Sequence, residues 1–219
     1  MSVKVLLLVA LVPSIILHEV SHGAVALLFG DPTAKEQGRL TLNPIRHIDP
    51  FGTILLPVML SLSGAGAFGY AKPVPVNPRR LRHPRNHGLV VSLVGPVVNI
   101  TLAVVAALVL RFLRPDGTVS NVITHFDGFR LLDPPPVGDQ LLFAFGFVNV
   151  ILAAFNLIPI PPLDGSAVIE RLMPKSWWPK YLQLRQYSMV LVLVLVLAVP
   201  GALNTVFEPA LRLWSNLLG

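Results

Sequence analysis

Long apolar stretches recur along the whole chain and restrict its fold more than any other feature. A helix needs ~20 apolar residues to cross the hydrocarbon core of a bilayer. Four stretches meet this length or come close to it: 3–29, 88–113, 140–158 and about 187–207. Only 13% of the 219 residues are charged, against ~25% in a typical soluble domain. The sequence therefore predicts an all-α polytopic membrane protein, with one domain over residues 1–219, a core over about 3–175 and a C-terminal span over about 187–207.

Two shorter segments complete the predicted architecture. Residues 51–68 are apolar but contain Pro57 and several glycines, so they either span the membrane or re-enter it. Re-entry is the preferred alternative, because an internal proline interrupts a full-length helix. Residues 38–43 alternate like a strand, which predicts a small membrane-associated β element beside about four to six membrane segments.

The charged loops predict an orientation in the membrane. Lys and Arg cluster in residues 69–87 and 171–185, whereas residues 114–139 carry four aspartates. The positive-inside rule makes the two basic loops cytoplasmic and the acidic loop external. If residues 51–68 re-enter, the N-terminus is external, and if they span, it is cytoplasmic. The basic cytoplasmic loops account for the net charge of +6. Nucleic-acid binding is not expected, because no platform of aromatic and basic residues is visible.

The first apolar stretch also has features of a secretory signal peptide. Lys4 precedes the apolar run, and the small residues Ala24–Ala26 could form a cleavage site. A polar group between the apolar run and the cleavage site is unusual for a signal peptide. A retained first helix is therefore the preferred interpretation.

The motif HEVSH, residues 18–22, lies inside this first stretch. Positions i and i+4 share one face of a helix, so His18 and His22 can bind one metal ion together. Glu19 is rotated by about 100° around the helix axis, where it can act on a water as a general base without being a ligand. Ionisable groups at membrane depth are costly unless paired or solvated, which favours a functional explanation. The chain has no cysteine, so any further ligand must be His, Asp or Glu.

A catalytic zinc ion usually has three protein ligands, and Asp164 is the preferred third. It stands in PPLDG, at the end of an apolar helix, whereas most other acidic residues lie in polar loops. Pro, Asp and Gly are also turn formers, so a simple helix-ending turn is the competing explanation.

The pairing of HEVSH with NLIPIPPLDG, residues 156–165, resembles the site-2 protease family of intramembrane zinc metalloproteases, peptidase family M50. GPVVN, residues 95–99, matches that family's Gly-Pro-x-x-Asn element. The intervening segments resemble the compact bacterial type without a PDZ or CBS domain, and the likeness covers about residues 10–175. The resemblance implies that Asp164 is the third ligand of one Zn²⁺ per chain and that Glu19 is catalytic.

The resemblance also implies an activity and a location. These are hydrolysis of peptide bonds in or near transmembrane segments of membrane-protein substrates, in regulated intramembrane proteolysis. The expected location is the bacterial plasma membrane, with the active site towards the cytoplasm. Asn99 is expected either to face the water or substrate or to make a bond between helices, and Asn156 to position helices or substrate. Residues 38–43 could pair with an unwound substrate.

Two rival functions remain open from the sequence. One is a zinc-binding membrane scaffold or carrier without proteolysis, although such a protein has no need of Glu19 as a base. The other is a metalloprotease of the CaaX-processing type, which also uses HExxH but takes a glutamate as third ligand. Glu170 would be that ligand, and the sequence after it, RLMPK, matches the type poorly.

Overall fold

All the regular secondary structure in the described part of the chain is helical. The computed structural model describes residues 2–55, 71–115, 135–188 and 203–219, with the single positions 119, 122, 190, 192, 194 and 201. The α-helices in these residues are α1 (Val3–Leu28), α2 (Thr33–Glu36), α3 (Pro84–Leu113), α4 (Val137–Asn156), α5 (Ser166–Leu172), α6 (Trp178–Arg185) and α7 (Asn204–Leu218). Shorter 3-10 turns occupy Pro44–His47, Pro78–Arg80 and Lys175–Trp177, and a π-helical turn occupies Pro50–Leu55.

Helices α1, α3 and α4 are long and apolar enough to cross a membrane, with 26, 30 and 20 residues. The chain is thus an integral membrane protein, and the described residues, which contain three such helices, confirm the all-α class but not the predicted four to six membrane segments. Helix α3 begins four residues before the predicted position, because Pro84 suits the first turn of a helix, where its missing N–H costs nothing. Most of the predicted segment 51–68 and of the acidic loop 114–139, and about half of the predicted segment 187–207, lie outside the described residues, and residues 204–207 belong to α7.

The β element predicted at residues 38–43 is not present as a strand. Gly38 has a positive φ of 63° and Arg39 N donates to Ala34 O at 2.8 Å. The first residues of the segment 38–43 therefore terminate α2. At the other end, Asn43 Oδ1 accepts from Ile45 N at 3.1 Å and caps the next turn. Alternation gives a segment the side-chain pattern of a strand, but a strand also requires a hydrogen-bonded neighbour. The described residues provide none.

The three long helices pack with α1 antiparallel to α3 and parallel to α4. Contacts between α1 and α3 run from His22 beside Val91 to His18 beside Asn99, in opposite chain directions. Leu6 and Ala10 of α1 pack with residues of α4 in one apolar cluster. Because lipid is as apolar as the helices, small side chains that allow close approach and polar bonds between helices stabilise such a bundle.

Helix α7 lies against α3 and α4 and is anchored by Trp214. The indole occupies the space over Gly146 of α4, where any side chain would overlap the ring. The indole N–H donates to Ala103 O of α3 at 2.8 Å. A single tryptophan therefore connects α7 to both helices.

The segment Lys72–Asn77, termed the strap, runs across one end of the bundle. Its first residue donates from Lys72 N to His47 O at 2.9 Å, and its last from Asn77 N to Asp31 Oδ2 at 2.6 Å. Both flanks of residues 51–68 thus lie at the same end of the bundle. Burial opposes ionisation of Asp31, but hydrogen bonds from Thr33 and Asn77 outweigh it and lower the pKa of this carboxyl below its usual value.

Candidate metal centre

His18 and His22 lie one turn apart on α1, and both are buried within the bundle. Their Nε2 atoms are 3.1 Å apart, and the two rings meet edge to face. This proximity follows from the i, i+4 spacing in a continuous helix.

Each imidazole is held on its far side by an oxygen of α3. His18 Nδ1 lies 2.6 Å from Asn99 Oδ1, and His22 Nδ1 lies 2.6 Å from the carbonyl oxygen of Val91. Both oxygens are acceptors, so each Nδ1 carries the proton and, in the neutral rings, each Nε2 presents a lone pair. Two lone pairs at 3.1 Å repel each other unless a cation lies between them. The tautomers therefore prepare the pair for a metal ion.

Asp164 reaches the same point from the turn between α4 and α5. Its Oδ2 lies 3.1 Å from His18 Nε2 and 3.4 Å from His22 Nε2. This oxygen is buried and has no hydrogen-bond partner among the described residues. The turn is tight: Gly165 N donates to Asn156 O at 2.7 Å, and a side chain at Gly165 would overlap the Leu157 carbonyl.

The three donors fit a zinc ion. Tetrahedral zinc with bonds of ~2.0–2.2 Å separates its ligand atoms by about 3.3 Å, and the observed separations are 3.1 and 3.4 Å. Two imidazoles and one carboxylate with a free fourth position are typical of catalytic zinc. The buried, unpartnered oxygen of Asp164 gains a partner when such an ion binds.

Gly95 allows α3 to approach both imidazoles. A Cβ at this position would lie 2.5 Å from His22 Nε2 and 2.6 Å from His18 Cε1, far inside normal contact distances. The next residue, Pro96, lies inside the same helix and lacks the N–H that would bond Ser92 O. The absence of a side chain at Gly95 thus explains the close approach of α3 to the site.

Glu19 stands beside the donor set rather than within it. Its side chain lines a cavity of about 550 Å³ together with His18, His22 and Asp164. Glu19 Oε2 accepts a hydrogen bond of 2.7 Å from Val74 N in the strap. One carboxylate oxygen is therefore fixed, and the group faces the space that a water or substrate would fill.

A chain of polar side chains continues from His18 across the bundle. Asn99 Nδ2 donates to Asn149 Oδ1 at 2.6 Å, and Asn149 Nδ2 donates to Ser14 Oγ at 2.8 Å. Ser14 Oγ in turn donates to Ala10 O at 2.8 Å. Asn99 and Asn149 are completely buried, and their hydrogen bond connects α3 to α4 behind His18.

The two remaining candidates, Asn156 and Glu170, have different surroundings. Asn156 lines the cavity, with Nδ2 donating to Leu152 O at 3.0 Å. Glu170 is engaged elsewhere: Tyr181 OH donates to Glu170 Oε1 at 2.6 Å, and Arg185 Nη1 lies 3.2 Å from the same oxygen. Glu170 is not among the three residues whose ligand atoms converge. The geometry therefore favours Asp164 as the third ligand.

Three contributions to the site were not identified from the sequence. Val91 O and Val74 N are backbone atoms, and backbone atoms leave no side-chain signature. The packing role of Gly95 had a signal, since a glycine within an apolar helix often marks a close approach of another helix. Together these groups orient His22, fix Glu19 and admit both imidazoles.

Comparison with known proteins gives consistent matches. The model of Peptidase family M50 matches residues 6–132 and 137–199. The Bacillus subtilis protein named "Putative zinc metalloprotease YwhC" is 39% identical over 218 residues, covering 96% of this chain and 91% of the relative. "Putative zinc metalloprotease Rip2" of Mycolicibacterium smegmatis is 29% identical, covering 97% and 70%. Its namesake in Mycobacterium tuberculosis H37Rv is 32% identical, covering 84% and 64%. No solved structure matches significantly.

Proposed function

The chain belongs to peptidase family M50 and is a zinc metallopeptidase, and we propose that it hydrolyses peptide bonds in or near transmembrane segments of other membrane proteins. In this proposal His18, His22 and Asp164 hold the zinc ion and Glu19 is the catalytic base. Proteolysis of this kind releases parts of membrane proteins in response to a signal, which is regulated intramembrane proteolysis.

The depth of the donor set within α1 is the observation that carries the proposal. His22 lies six residues and His18 ten residues before the end of α1 at Leu28, which corresponds to about 9 and 15 Å along the axis. The donors are thus inside a helix of membrane-spanning length rather than in a surface loop. A substrate that reaches them has to enter the membrane domain.

The residues of the site divide the chemical work. Zinc, when bound by His18, His22 and Asp164, supplies a Lewis acid that polarises a peptide carbonyl and makes water acidic enough to attack near neutral pH. Glu19 accepts the proton of the attacking water and donates it to the amide nitrogen of the leaving chain. The hydrogen bond from Val74 N holds Oε2 of Glu19 and leaves Oε1 for the water.

Asn99 and Asn156 act in different ways in this proposal. Asn99 fixes the tautomer and orientation of His18 through Nδ1, and this positioning raises the affinity for zinc. Asn156 lines the cavity beside Asp164, where its amide can form hydrogen bonds with the peptide backbone of the substrate. Asn99 is therefore a positioning residue, and Asn156 a candidate substrate contact.

A helical substrate must unwind before its peptide bonds can be cut, because the helix encloses them in hydrogen bonds. Residues 38–43 have the alternating pattern of an edge strand and no strand partner among the described residues. An unwound substrate segment can supply the missing partner by β-augmentation. The strand would then form only in the complex.

The orientation follows from the basic loops. The strap and the start of α3 lie in the basic stretch 69–87, so this end of the bundle is assigned to the cytoplasm. His22 is nearer to this end of α1 than to the other. The active site thus opens towards the cytoplasmic side of the plasma membrane of a bacterial cell.

The experiment uses the purified protein in lipid vesicles with a set of single-span substrates. Wild type is expected to cut within or near the span, located by mass spectrometry, and to carry about one zinc per chain. Glu19→Gln should keep the zinc and lose 10²–10⁴-fold in rate, because glutamine cannot accept the proton. Glu208→Gln, an exposed glutamate of α7, is the matched control and should behave as wild type. Full cleavage by zinc-loaded Glu19→Gln would contradict the mechanism, and zinc without any cleavage by wild type would indicate a scaffold or carrier.

A further inference from the structure

The cavity that contains the donors opens between α3, the strap, α5 and α6. Its outer part is lined by three arginines and one glutamate: Arg85, Arg171, Arg185 and Glu170. The three arginines are termed the basic mouth. The arrangement gives the entrance a net charge of +2 by formal count, three positive groups against one negative.

The glutamate neutralises only one arginine of the mouth. Arg185 Nη1 lies 3.2 Å from Glu170 Oε1, and the same oxygen accepts 2.6 Å from Tyr181 OH. Burial and this hydrogen bond raise the pKa of Tyr181 to about 12, so the phenol remains a donor. Both contacts of Glu170 are thus with α6, and no ion pair joins Glu170 to Arg85 or Arg171 among the described residues.

Arg85 and Arg171 keep their positive charge uncompensated. Arg85 Nη2 donates to Met173 O at 2.9 Å, and Arg171 Nε donates to Asn86 Oδ1 at 2.9 Å. Both acceptors are neutral, and neither arginine has an acidic partner among the residues that the structure describes. A guanidinium has five N–H groups, so most of them remain available to a ligand.

The hydrogen bonds of Arg85 and Arg171 connect the same two helices, α3 and α5, in opposite directions. Arg85 at the start of α3 reaches the end of α5, and Arg171 at the end of α5 reaches the start of α3. The crossed pair holds two like charges at one opening, although they repel each other. A pre-positioned pair of guanidinium groups is well suited to carboxylates, which arginine binds through two parallel hydrogen bonds.

We propose that the basic mouth selects substrates that carry acidic residues on the cytoplasmic flank of the cleaved span. Most membrane spans carry Lys and Arg on that flank. Such a flank is repelled by Arg85 and Arg171, whereas an acidic flank is attracted. The mouth is thus a specificity determinant that excludes ordinary membrane proteins, and this role rests on the proposed proteolytic function.

The test compares three single-span substrates that differ only in two flanking residues: Asp-Asp, Asn-Asn and Lys-Lys. In phosphatidylcholine vesicles at low salt, kcat/KM for the acidic substrate should exceed that for the basic one by up to about 25-fold, since two partly exposed pairs contribute at most about fivefold each. The difference should lie mainly in KM, because the mouth binds the flank and not the reacting bond. It should shrink as salt is added.

Charge reversal distinguishes recognition from a loss of folding. The double variant Arg85→Glu/Arg171→Glu should invert the preference and cut the Lys-Lys substrate best, which an unfolded protein cannot do. Arg111→Gln is the matched control: it is an arginine of the same helix, about 39 Å further along the axis, and should keep the wild-type preference.

The neutral substrate separates this inference from the proposed function. Cleavage of all three substrates at equal rates by wild type would overturn the selection of acidic flanks and leave the protease intact. No cleavage of any substrate would overturn both. An effect of the arginine variants that is equal for all flanks and appears only in anionic vesicles would assign the mouth to lipid headgroups instead.

Discussion

Replacing Gly95 with alanine is expected to disable the metal centre with a single methyl group. The new Cβ would lie 2.5 Å from His22 Nε2 and 2.6 Å from His18 Cε1, whereas ordinary contacts begin at 3.4 Å. The rings or the helix must therefore move by about 0.9 Å, the difference between 3.4 and 2.5 Å. A zinc site tolerates deviations of about 0.2 Å in its ligand distances.

The expected loss of zinc affinity is about 100-fold, the upper range for disturbed ligand orientation, or about 3 kcal/mol. The substitution itself favours a helix by up to ~1 kcal/mol, so a loss cannot come from weaker helix formation. Gly88→Ala is the matched control. It changes a glycine of the same helix, α3, where a Cβ meets no atom within 4 Å.

The assay measures zinc content, cleavage and thermal stability on the same preparations. Wild type and Gly88→Ala should retain about one zinc per chain, and a chelator should lower their unfolding temperature. Gly95→Ala should be largely free of zinc and inactive, and a chelator should lower its unfolding temperature no further. A Gly95→Ala protein with full zinc and a normal response to chelator would refute the steric argument.

Three further outcomes are expected. Val74→Pro removes the N–H that holds Glu19 and should lower kcat at least about tenfold with zinc retained, measured with a neutral-flank substrate. In unfolding measurements, Asp31→Asn should destabilise the fold near pH 7 but not at low pH. A carboxyl whose pKa is lowered in the folded protein stabilises the fold at pH values above its unfolded pKa. This stabilisation is lost as the pH falls through its folded pKa. In intact cells, an impermeant thiol reagent should label a cysteine at Asp127 but not at Arg82, and the opposite pattern would contradict the orientation.

The parts of the site that lie within one helix were predictable from the sequence. The spacing of His18 and His22 fixes their relation, since a helix has a constant rotation per residue. The three long helices were also predictable, because the length of an apolar run determines whether it can span. The place of Asp164 in the site was harder to predict, because its position relative to α1 depends on the packing of α4 and on the turn after that helix.

The supporting contacts depended on packing that local patterns do not contain. Val91 O meets His22 across 69 positions of sequence, and Val74 N meets Glu19 across 55. Such contacts arise from the approach of α3 and the path of the strap, which periodicity does not specify. Gly95 gave a partial signal, as a small residue in an apolar helix.

The alternation at residues 38–43 predicted a strand that these residues do not form in the structure, for an identifiable reason. A period of two reports which side chains share a face, not whether a neighbouring strand exists. Here Gly38 and Asn43 belong to the termination of one helix and the cap of the next turn. Turn residues at both ends were the better indicators of the local structure.

X-ray absorption at the zinc edge of the purified protein tests the central claim most directly. The spectrum is expected to show one zinc with two imidazole nitrogens at ~2.0–2.1 Å and oxygen ligands at ~2.0–2.2 Å. Asp164→Ala should change the oxygen shell and lower the zinc content, because Oδ2 of Asp164 is one of the three converging donors. A site with three or more imidazole ligands, or a spectrum and zinc content unchanged in Asp164→Ala, would contradict the assignment of His18, His22 and Asp164.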